Sequence, residues 1–449
     1  MDCLRINGGV RLDGAVTVSG SKNAALPIMA ASILAAGPVV LRGVPELVDV
    51  DTLALLLGHL GVEVKRRGAT GGSSRGAADG EVWIETVDPR PTRAAYDLVR
   101  RMRASFCVLG PLLARRGRAE VSLPGGCNIG TRPVDLHLAG LQALGAEIRI
   151  ERGYVIAEAP RLGGAEIDLR GPRGPTVTGT ANVMSAATVA RGRTIIKGAA
   201  AEPEVVDLGR FLIAAGADIA GLGTDTIEIR GVDQLAGACH RVIPDRIEAA
   251  TLLIAAAITR GTATVAGARA DHLTAVLEAL DETGADVVCG PNEITVSAGD
   301  RPRPIDVIAR PYPGIPTDLQ AQFMALLAVA DGTSTVGDEV FAERFMHVAE
   351  LNRLGAQIER RGSVAVVRGV RRLSGAAVMA SDLRASAALV LAGLAAGSET
   401  IVRRVYHLDR GYRRLEEKLA LMGARIERWS DGEISPTDPE NLTASALRC

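Results

Sequence analysis

Residues able to handle a strongly anionic ligand recur at two kinds of place along this chain. The first is the start of an apolar helical run: Ser21-Lys22-Asn23, Arg103-Ala104-Ser105, Thr176-Val177-Thr178-Gly179-Thr180, Asp245-Arg246, Thr317-Asp318-Leu319-Gln320 and Ser381-Asp382-Leu383-Arg384. The second is the loop ahead of an amphipathic run: Pro124-Gly125-Gly126-Cys127 with Arg132, then Glu202, Arg344 and Asp409-Arg410. Helix N-termini present unpaired N–H groups and the positive end of the helix dipole, which suits anions. Lys and Arg placed there add charge-assisted hydrogen bonds. Lys22 after Gly20-Ser21 is not a P-loop, because the full Gly-x4-Gly-Lys-Ser/Thr pattern is missing.

Plainer readings stand beside these. Thr317 and Gln320 fit a capping box, Asp318 suits a helix dipole, and Ser381 and Asp409 read as N-caps. Cys107 sits in an apolar helix and reads as core. His240 and His272 lack partners at metal-ligand spacing and read as structural, while His137 and His407 flank candidate loops and stay open. Cys127 lies in the glycine-rich loop Leu123-Pro124-Gly125-Gly126-Cys127-Asn128-Ile129-Gly130. Arg132 and Lys22 nearby would favour its thiolate, so it is either a reactive thiol or an inert loop residue.

The elements that must position these residues repeat. A helical run, a glycine and a strand start recur as LGVEV, LGAEI, AGADI, TGADV, LGAQI and MGARI, at Gly61, Gly145, Gly216, Gly284, Gly355 and Gly423. The intervals are 84, 71, 68, 71 and 68 residues. A second phrase, an Ala-rich helix ending in glycine before a β-branched strand, interleaves at Gly37, Gly117, Gly192, Gly261, Gly332 and Gly397. Each unit therefore reads helix A, strand, loop, helix B, strand, with the glycines at left-handed helix ends. Helix A, as in Ala249–Ile258, is apolar all round and should be buried; helix B, as in Tyr412–Leu419, is amphipathic and should lie at a surface. Units of about 70 residues are small for independent cores, so two domains of three units each are expected. In each unit the loop before helix B should return to the end where helix A starts, which gathers the chemistry in a cleft between the domains. The long first interval holds a polar insertion, Gly68–Gly80, and the tail Ser430–Cys449 is unpatterned.

Composition bounds the function. Lys+Arg number 51 and Asp+Glu 52, giving a net charge of −1, so no broad basic face advertises nucleic acid. Aromatic residues are only 3%, which disfavours base stacking. Six scattered cysteines (Cys3, Cys107, Cys127, Cys239, Cys289 and Cys449) contain no Cys-x-x-Cys pair, which favours a reducing compartment. The start of the chain lacks a signal pattern, and the uncharged stretch Asn23–Leu41 reads as a buried helix followed by a strand, not a membrane span. A soluble cytoplasmic protein is expected.

At the residues singled out above, the chain resembles the UDP-N-acetylglucosamine 1-carboxyvinyltransferase family of enolpyruvyl transferases. The stretches SGSKNAALPIMAASILAAGPV, PGGCNIGTRPVDLH, PTDLQAQ, SDLRAS and YHLDRGYRRLEEKLALMGARIER carry the resemblance, which runs nearly the whole chain. It implies an α/β fold: a two-domain inside-out α/β barrel of six βαβαββ units, three per domain. Domains of 22–243 and of 1–21 with 244–449 follow, with the active site in the cleft between them. It implies transfer of the enolpyruvyl group of phosphoenolpyruvate to the 3-hydroxyl of UDP-N-acetylglucosamine through a tetrahedral intermediate, with release of phosphate, opening peptidoglycan synthesis. Lys22, Asn23, Arg132, Arg344, Arg384 and Arg410 would hold phosphoenolpyruvate. Cys127 would be the proton donor and the target of fosfomycin, and Asp318 the general base, with Lys22 and Arg410 completing the catalytic set. The nucleotide sugar would meet Asn23, Arg103, Arg132, Pro133, Val134, Asp135, Leu136, Thr176, Val177, Thr178, Gly179, Asp318 and Val340. The family often shows Ser-Val-Gly-Ala-Thr with a lysine just before it; this chain has Thr176-Val177-Thr178-Gly179-Thr180 with Arg173, and Val48 where a lysine is frequent. The resemblance implies no metal, no cofactor and no obligate protein, nucleic-acid or membrane partner. The rivals are the sister transfer to shikimate 3-phosphate, a non-catalytic sugar-nucleotide sensor, and an RNA-end-processing enzyme.

Overall fold

Every residue of the helix Arg246–Thr259 is buried, as an all-round apolar sequence requires. The same holds for most of Lys22–Ala31, Val177–Ala187, Gln320–Leu327 and Leu383–Ala395. Helices of the second kind bury one face only: Thr274–Glu282 turns Val276, Leu277, Ala279 and Leu280 inward. These positions come from a computed structural model, which describes residues 2–67, 80–124 and 133–430. Cys127, Arg132, almost all of the Gly68–Gly80 insertion and the tail beyond Ser430 lie outside the described residues.

The repeat is visible in the sheets. Among the described residues there are six four-stranded sheets of one topology, besides a two-stranded ribbon. In the second unit Arg93–Ala94 runs parallel to Arg118–Ser122, which pairs antiparallel with Tyr154–Glu158, itself antiparallel to Glu147–Glu151. Each unit thus has four strands. The repeat phrases marked two of them and missed the short leading strand and the last strand of the hairpin. The six glycines of the first phrase all take positive φ, from 72° to 106°. The second set conforms only in part. At Gly261 the left-handed residue is its neighbour Arg260, φ 55°, and a Cβ at Gly261 would lie 2.1 Å from the Leu12 carbonyl oxygen. Close approach of backbones, not handedness, calls for glycine there.

The buried apolar residues form two clusters. One runs from Ala24 to Ile243; the other combines Leu4–Val18 with residues from Ile247 to Ala424. Both N-terminal strands serve the second cluster: Asp2–Asn7 lies between Glu399–Arg403 and Arg425–Ser430, and Asp13–Thr17 runs beside Thr262–Ala266. Cys239–Arg241 returns to pair with Val39–Arg42 in the first. The chain therefore passes twice between the clusters, and the two passages are bonded to each other. The Ser21 amide donates to the Ile243 carbonyl at 2.7 Å, and the Asp245 amide to the Ser19 carbonyl at 2.8 Å. Glu248 accepts from the Ser19 amide at 2.7 Å and pairs with Lys418 at 2.6 Å.

Gly20 sits in this crossing, where a Cβ would lie 1.6 Å from the Gly43 carbonyl oxygen. Gly58, inside the helix Val48–His59, has open space around it. Gly20→Ala should cost about 1–3 kcal/mol through forced overpacking, while Gly58→Ala should be neutral or stabilise by up to ~1 kcal/mol. Urea unfolding of the two variants checks this; equal effects would contradict the crowding at the crossing.

Candidate active site

Lys22 opens the helix Lys22–Ala31, where Ser21 caps the N-terminus by accepting from the Ala24 amide at 3.3 Å. This fixes the lysine at the helix start, buried, with its ammonium 3.0 Å from Asp49 Oδ2. Asp49 lies in the first turn of Val48–His59, the second helix of the same unit. Its other oxygen accepts from Arg410 Nε at 2.9 Å. Arg410 comes from the short helix Val405–Arg410 on the other apolar cluster, and also donates to the Arg101 carbonyl at 3.2 Å. Burial alone would raise the Asp49 carboxyl, but the two cations outweigh it and hold it below the ordinary carboxylate range.

A second carboxylate repeats the arrangement. Asp318 Oδ1 accepts from Arg344 at 2.8 Å, and Oδ2 from Arg384 at 2.8 Å. Burial again works against ionisation, and Arg384 and Arg344 reverse it, leaving Asp318 well below the usual carboxylate range. Its side chain keeps 26% of its surface open, enough for a ligand to reach it. Arg384 is 2% exposed and lies over the Tyr412 ring, 5.2 Å from the centroid. Two of its donors, Nε and one terminal nitrogen, meet no acceptor among the described residues. A buried guanidinium with unmet donors is a ready anion site.

Asp245 joins the two groups. It caps Arg246–Thr259 through the Ile247 and Glu248 amides at 2.9 and 3.0 Å, accepts from the Lys22 amide at 3.3 Å, and acts electrostatically on Arg384. Arg246 forms a two-pronged bond with Glu204 at 2.9 and 3.1 Å and feels the charge of Asp318. Glu202 is buried beside it, its carboxyl raised chiefly by that burial. The cations expected to meet thus gather as Lys22 with Arg410 and Arg344 with Arg384, each couple sharing one carboxylate.

The plainer readings fare unevenly. The capping box does not form: Thr317 donates its hydroxyl to Asp338 Oδ2 at 2.6 Å and accepts from Arg344 at 3.1 Å. Asp338 in turn accepts from the Val340 and Phe341 amides at 2.9 and 2.6 Å, tying the Val340 segment to the Asp318 turn. Asp382, not Ser381, caps Leu383–Ala395. Asp409 is no cap either; Arg428 grips both its oxygens at 3.0 and 2.6 Å. Cys107 is buried core, its thiol pushed up to about 12 by desolvation. His240 bonds Asp207 at 3.0 Å, as a structural histidine would. His407 is half-buried against Tyr406.

The other expected contacts fall near one another. Arg103 donates to the Pro133 carbonyl at 3.0 Å, just ahead of the helix Asp135–Ala143, which holds Asp135 and Leu136 after Val134. Thr176 caps Val177–Ala187 by accepting from the Gly179 amide at 3.2 Å. Gly179 needs to be glycine, because a Cβ would stand 2.4 Å from Thr176 Cγ2. Asn23 is half-buried beside Lys22. Sequence reasoning named Arg246 but missed Asp49, Asp338 and Glu204. The repeat held the signal for Asp49, which stands in the first unit near the place that Arg344 holds in the fifth.

A family model described as EPSP synthase (3-phosphoshikimate 1-carboxyvinyltransferase) matches residues 6–419. Curated relatives named UDP-N-acetylglucosamine 1-carboxyvinyltransferase include one from Anaeromyxobacter sp. (strain K), 56% identical, and one from Geobacter metallireducens, 52% identical. Each alignment covers 95% of this chain and 99% of the relative. The crystal structure of the enolpyruvyl transferase NikO from Streptomyces tendae is similar at a TM-score of 0.84, with 29% identity over 95% of this chain and 98% of that one. An EPSP synthase from Acinetobacter baumannii shares the fold at a TM-score of 0.71 and 21% identity, over 96% of this chain and all of that one.

Burial pushes His137 down to about 3 and His347 down to about 4, so both are neutral in the folded protein. An unfolded histidine titrates near ~6.5. Below that value the unfolded chain binds more protons, so this part of the stability is full above it and drains away as pH falls toward the folded values. The buried Glu202 and Glu248, raised by burial, act in the opposite sense. Comparing wild type with His137→Asn cancels them. Between pH 6 and 4.5 the wild type should lose about 1.4 kcal/mol more per pH unit than the variant. Thermal melts across that range check this, and parallel pH profiles would refute it.

Proposed function

The chain belongs to the EPSP synthase (3-phosphoshikimate 1-carboxyvinyltransferase) family, and from that premise we propose how its cleft residues divide the work. The protein transfers the enolpyruvyl group of phosphoenolpyruvate to the 3-hydroxyl of UDP-N-acetylglucosamine and releases phosphate, the first committed step of peptidoglycan synthesis. In our reading its domains are 22–243 and 1–21 with 244–449. The two apolar clusters and the paired crossings support that division.

One observation carries the assignment of roles: the buried Arg384, with unmet donors, beside an Asp318 that it shares with Arg344. Phosphoenolpyruvate brings a phosphate and a carboxylate. Lys22, Arg410, Arg344 and Arg384 are the cations to receive them, with Asn23 and Arg132 alongside. Protonation of C3 makes C2 electrophilic; Cys127 is the donor in this reading. The sugar 3-hydroxyl attacks C2 and must lose its proton, and Asp318 takes it. In the free protein Asp318 is too acidic for that task, because Arg384 and Arg344 stabilise its anion. When the substrate's anionic groups draw on the same two guanidiniums, their hold on Asp318 weakens and its basicity rises. Binding of one substrate thus prepares the base for the other. Phosphate then leaves the tetrahedral intermediate as a C3 proton is lost.

The nucleotide sugar lies, in this reading, along Arg103 and the segment Arg132, Pro133, Val134, Asp135 and Leu136. It continues over the turn Thr176, Val177, Thr178 and Gly179 to Asn23, Asp318 and Val340. The protein works on small molecules. No helix among the described residues is long and apolar enough to cross a membrane. We place it in the cytoplasm, without nucleic-acid, membrane or obligate protein partners. The free thiols Cys3, Cys107, Cys239 and Cys289 and the even charge balance support that placement.

Phosphate release from phosphoenolpyruvate, measured with UDP-N-acetylglucosamine and with shikimate 3-phosphate in separate assays, tests the reaction. Release with the nucleotide sugar alone is expected; release only with shikimate 3-phosphate would reverse the substrate assignment. Asp318→Ala should lower kcat by about 10²–10⁴-fold while UDP-N-acetylglucosamine still binds. Unchanged turnover would remove Asp318 from the role of base.

A further inference from the structure

A chain of hydrogen bonds behind the Thr176–Gly179 turn fixes where one proton goes. The Gly110 amide donates to Asn182 Oδ1 at 2.8 Å, and a backbone N–H can only donate, so the orientation of the Asn182 side chain is settled. Its Nδ2 then spends its two hydrogens on the Phe106 carbonyl at 3.0 Å and on His137 Nδ1 at 2.8 Å. His137 Nδ1 is therefore the acceptor. In a neutral imidazole the other nitrogen carries the hydrogen. The ring is buried against Phe106 and stays neutral, because burial and the nearby Arg103 guanidinium both oppose its charge. His137 Nε2–H accordingly donates to Thr178 Oγ1 at 3.1 Å.

Thr178 is thereby an acceptor toward the protein, and its own hydroxyl proton has no acceptor among the described residues. It is half-buried at the second position of Val177–Ala187, where the first amides of the helix have no intrahelical acceptor. His137 belongs to Asp135–Ala143, so this single bond also joins the two segments assigned above to the nucleotide sugar. The resembled family often has glycine where this chain has Thr178, and a glycine would supply no hydroxyl.

We propose that Thr178 donates its hydroxyl proton to a phosphate oxygen of the UDP-N-acetylglucosamine diphosphate, and that His137 is the positioning residue that turns this proton toward the ligand. The proposal rests on the nucleotide-sugar reading given above. It supplies a donor at a turn before which the family often has a lysine, where this chain has Arg173 nearby. A hydroxyl proton of fixed direction bonds more strongly to a charged diphosphate oxygen than to the neutral hydroxyls of a sugar.

Calorimetric titration with UDP-N-acetylglucosamine and with UDP, alongside steady-state KM values for both substrates, tests it. Thr178→Val, which keeps the shape and removes the hydroxyl, should weaken both nucleotides by about tenfold, as loss of a hydrogen bond to a charged group does. The loss should fall on KM for the nucleotide sugar and not on KM for phosphoenolpyruvate, and Thr178→Ser should restore binding. His137→Asn keeps a partner for Asn182 but cannot reach Thr178. It should weaken UDP to a similar degree, and the double variant with Thr178→Val should be no weaker than either single one. If wild type binds the nucleotide sugar and Thr178→Val binds it equally well, the proposal fails while the function stands. Fully additive losses in the double variant would overturn the role of His137. Failure of wild type to bind UDP-N-acetylglucosamine at all would instead overturn the functional reading beneath it.

Discussion

Four cations crowd one region of this protein, and two carboxylates make that possible. Asp49 lies between Lys22 and Arg410, and Asp318 between Arg344 and Arg384. Without them, buried like charges would repel one another at a cost that a marginally stable fold could not absorb. The Asp49 bridge has a second consequence. Lys22 is rooted in one apolar cluster and Arg410 in the other, so a single carboxylate holds groups from both sides within reach of one ligand. Arg246 and Glu204 make a further such link.

The same pairing explains how a chain with 51 basic and 52 acidic residues can receive a substrate carrying several negative charges. The cradle is not a bare positive patch. Its cations are held in place by internal anions, and a ligand competes with Asp49 and Asp318 for them. In the mechanism proposed above, that competition couples the two substrates: the anion of one would draw off the cations that keep Asp318 from acting as a base toward the other. The paired crossings at Gly20 and Pro244 fix where the two halves meet, and so where this competition takes place.

Much of the architecture was legible because the repeat is written in strong signals. Helices such as Arg246–Thr259 are apolar all round, and the glycines ending the amphipathic helices must take positive φ. Among the strands that escaped notice, Arg93–Ala94 is only two residues long, too short to show the alternation that marks a half-buried strand. In the site, Lys22, Asp318, Arg344, Arg384 and Arg410 were found by position in the repeat and by resemblance. Asp49 was not, because an acid in the first turn of a helix looks like an ordinary partner of the dipole. Thr317 misled for a related reason: its spacing to Gln320 suits a capping box, but its hydroxyl reaches Asp338, 21 residues away, a contact that only the fold creates. The Cys127 loop and Arg132 lie outside the described residues, so their roles rest on the sequence.

The coupling of Asp318 to its two arginines can be tested most directly by following the Asp318 carboxyl carbon by NMR as pH is lowered, with and without saturating phosphoenolpyruvate. In the free protein Asp318 should remain ionised well below the ordinary value of 3.8, and phosphoenolpyruvate should move its titration upward. Titration at the ordinary value in the free protein, or a profile that phosphoenolpyruvate leaves unmoved, would show that Arg344 and Arg384 do not control the base.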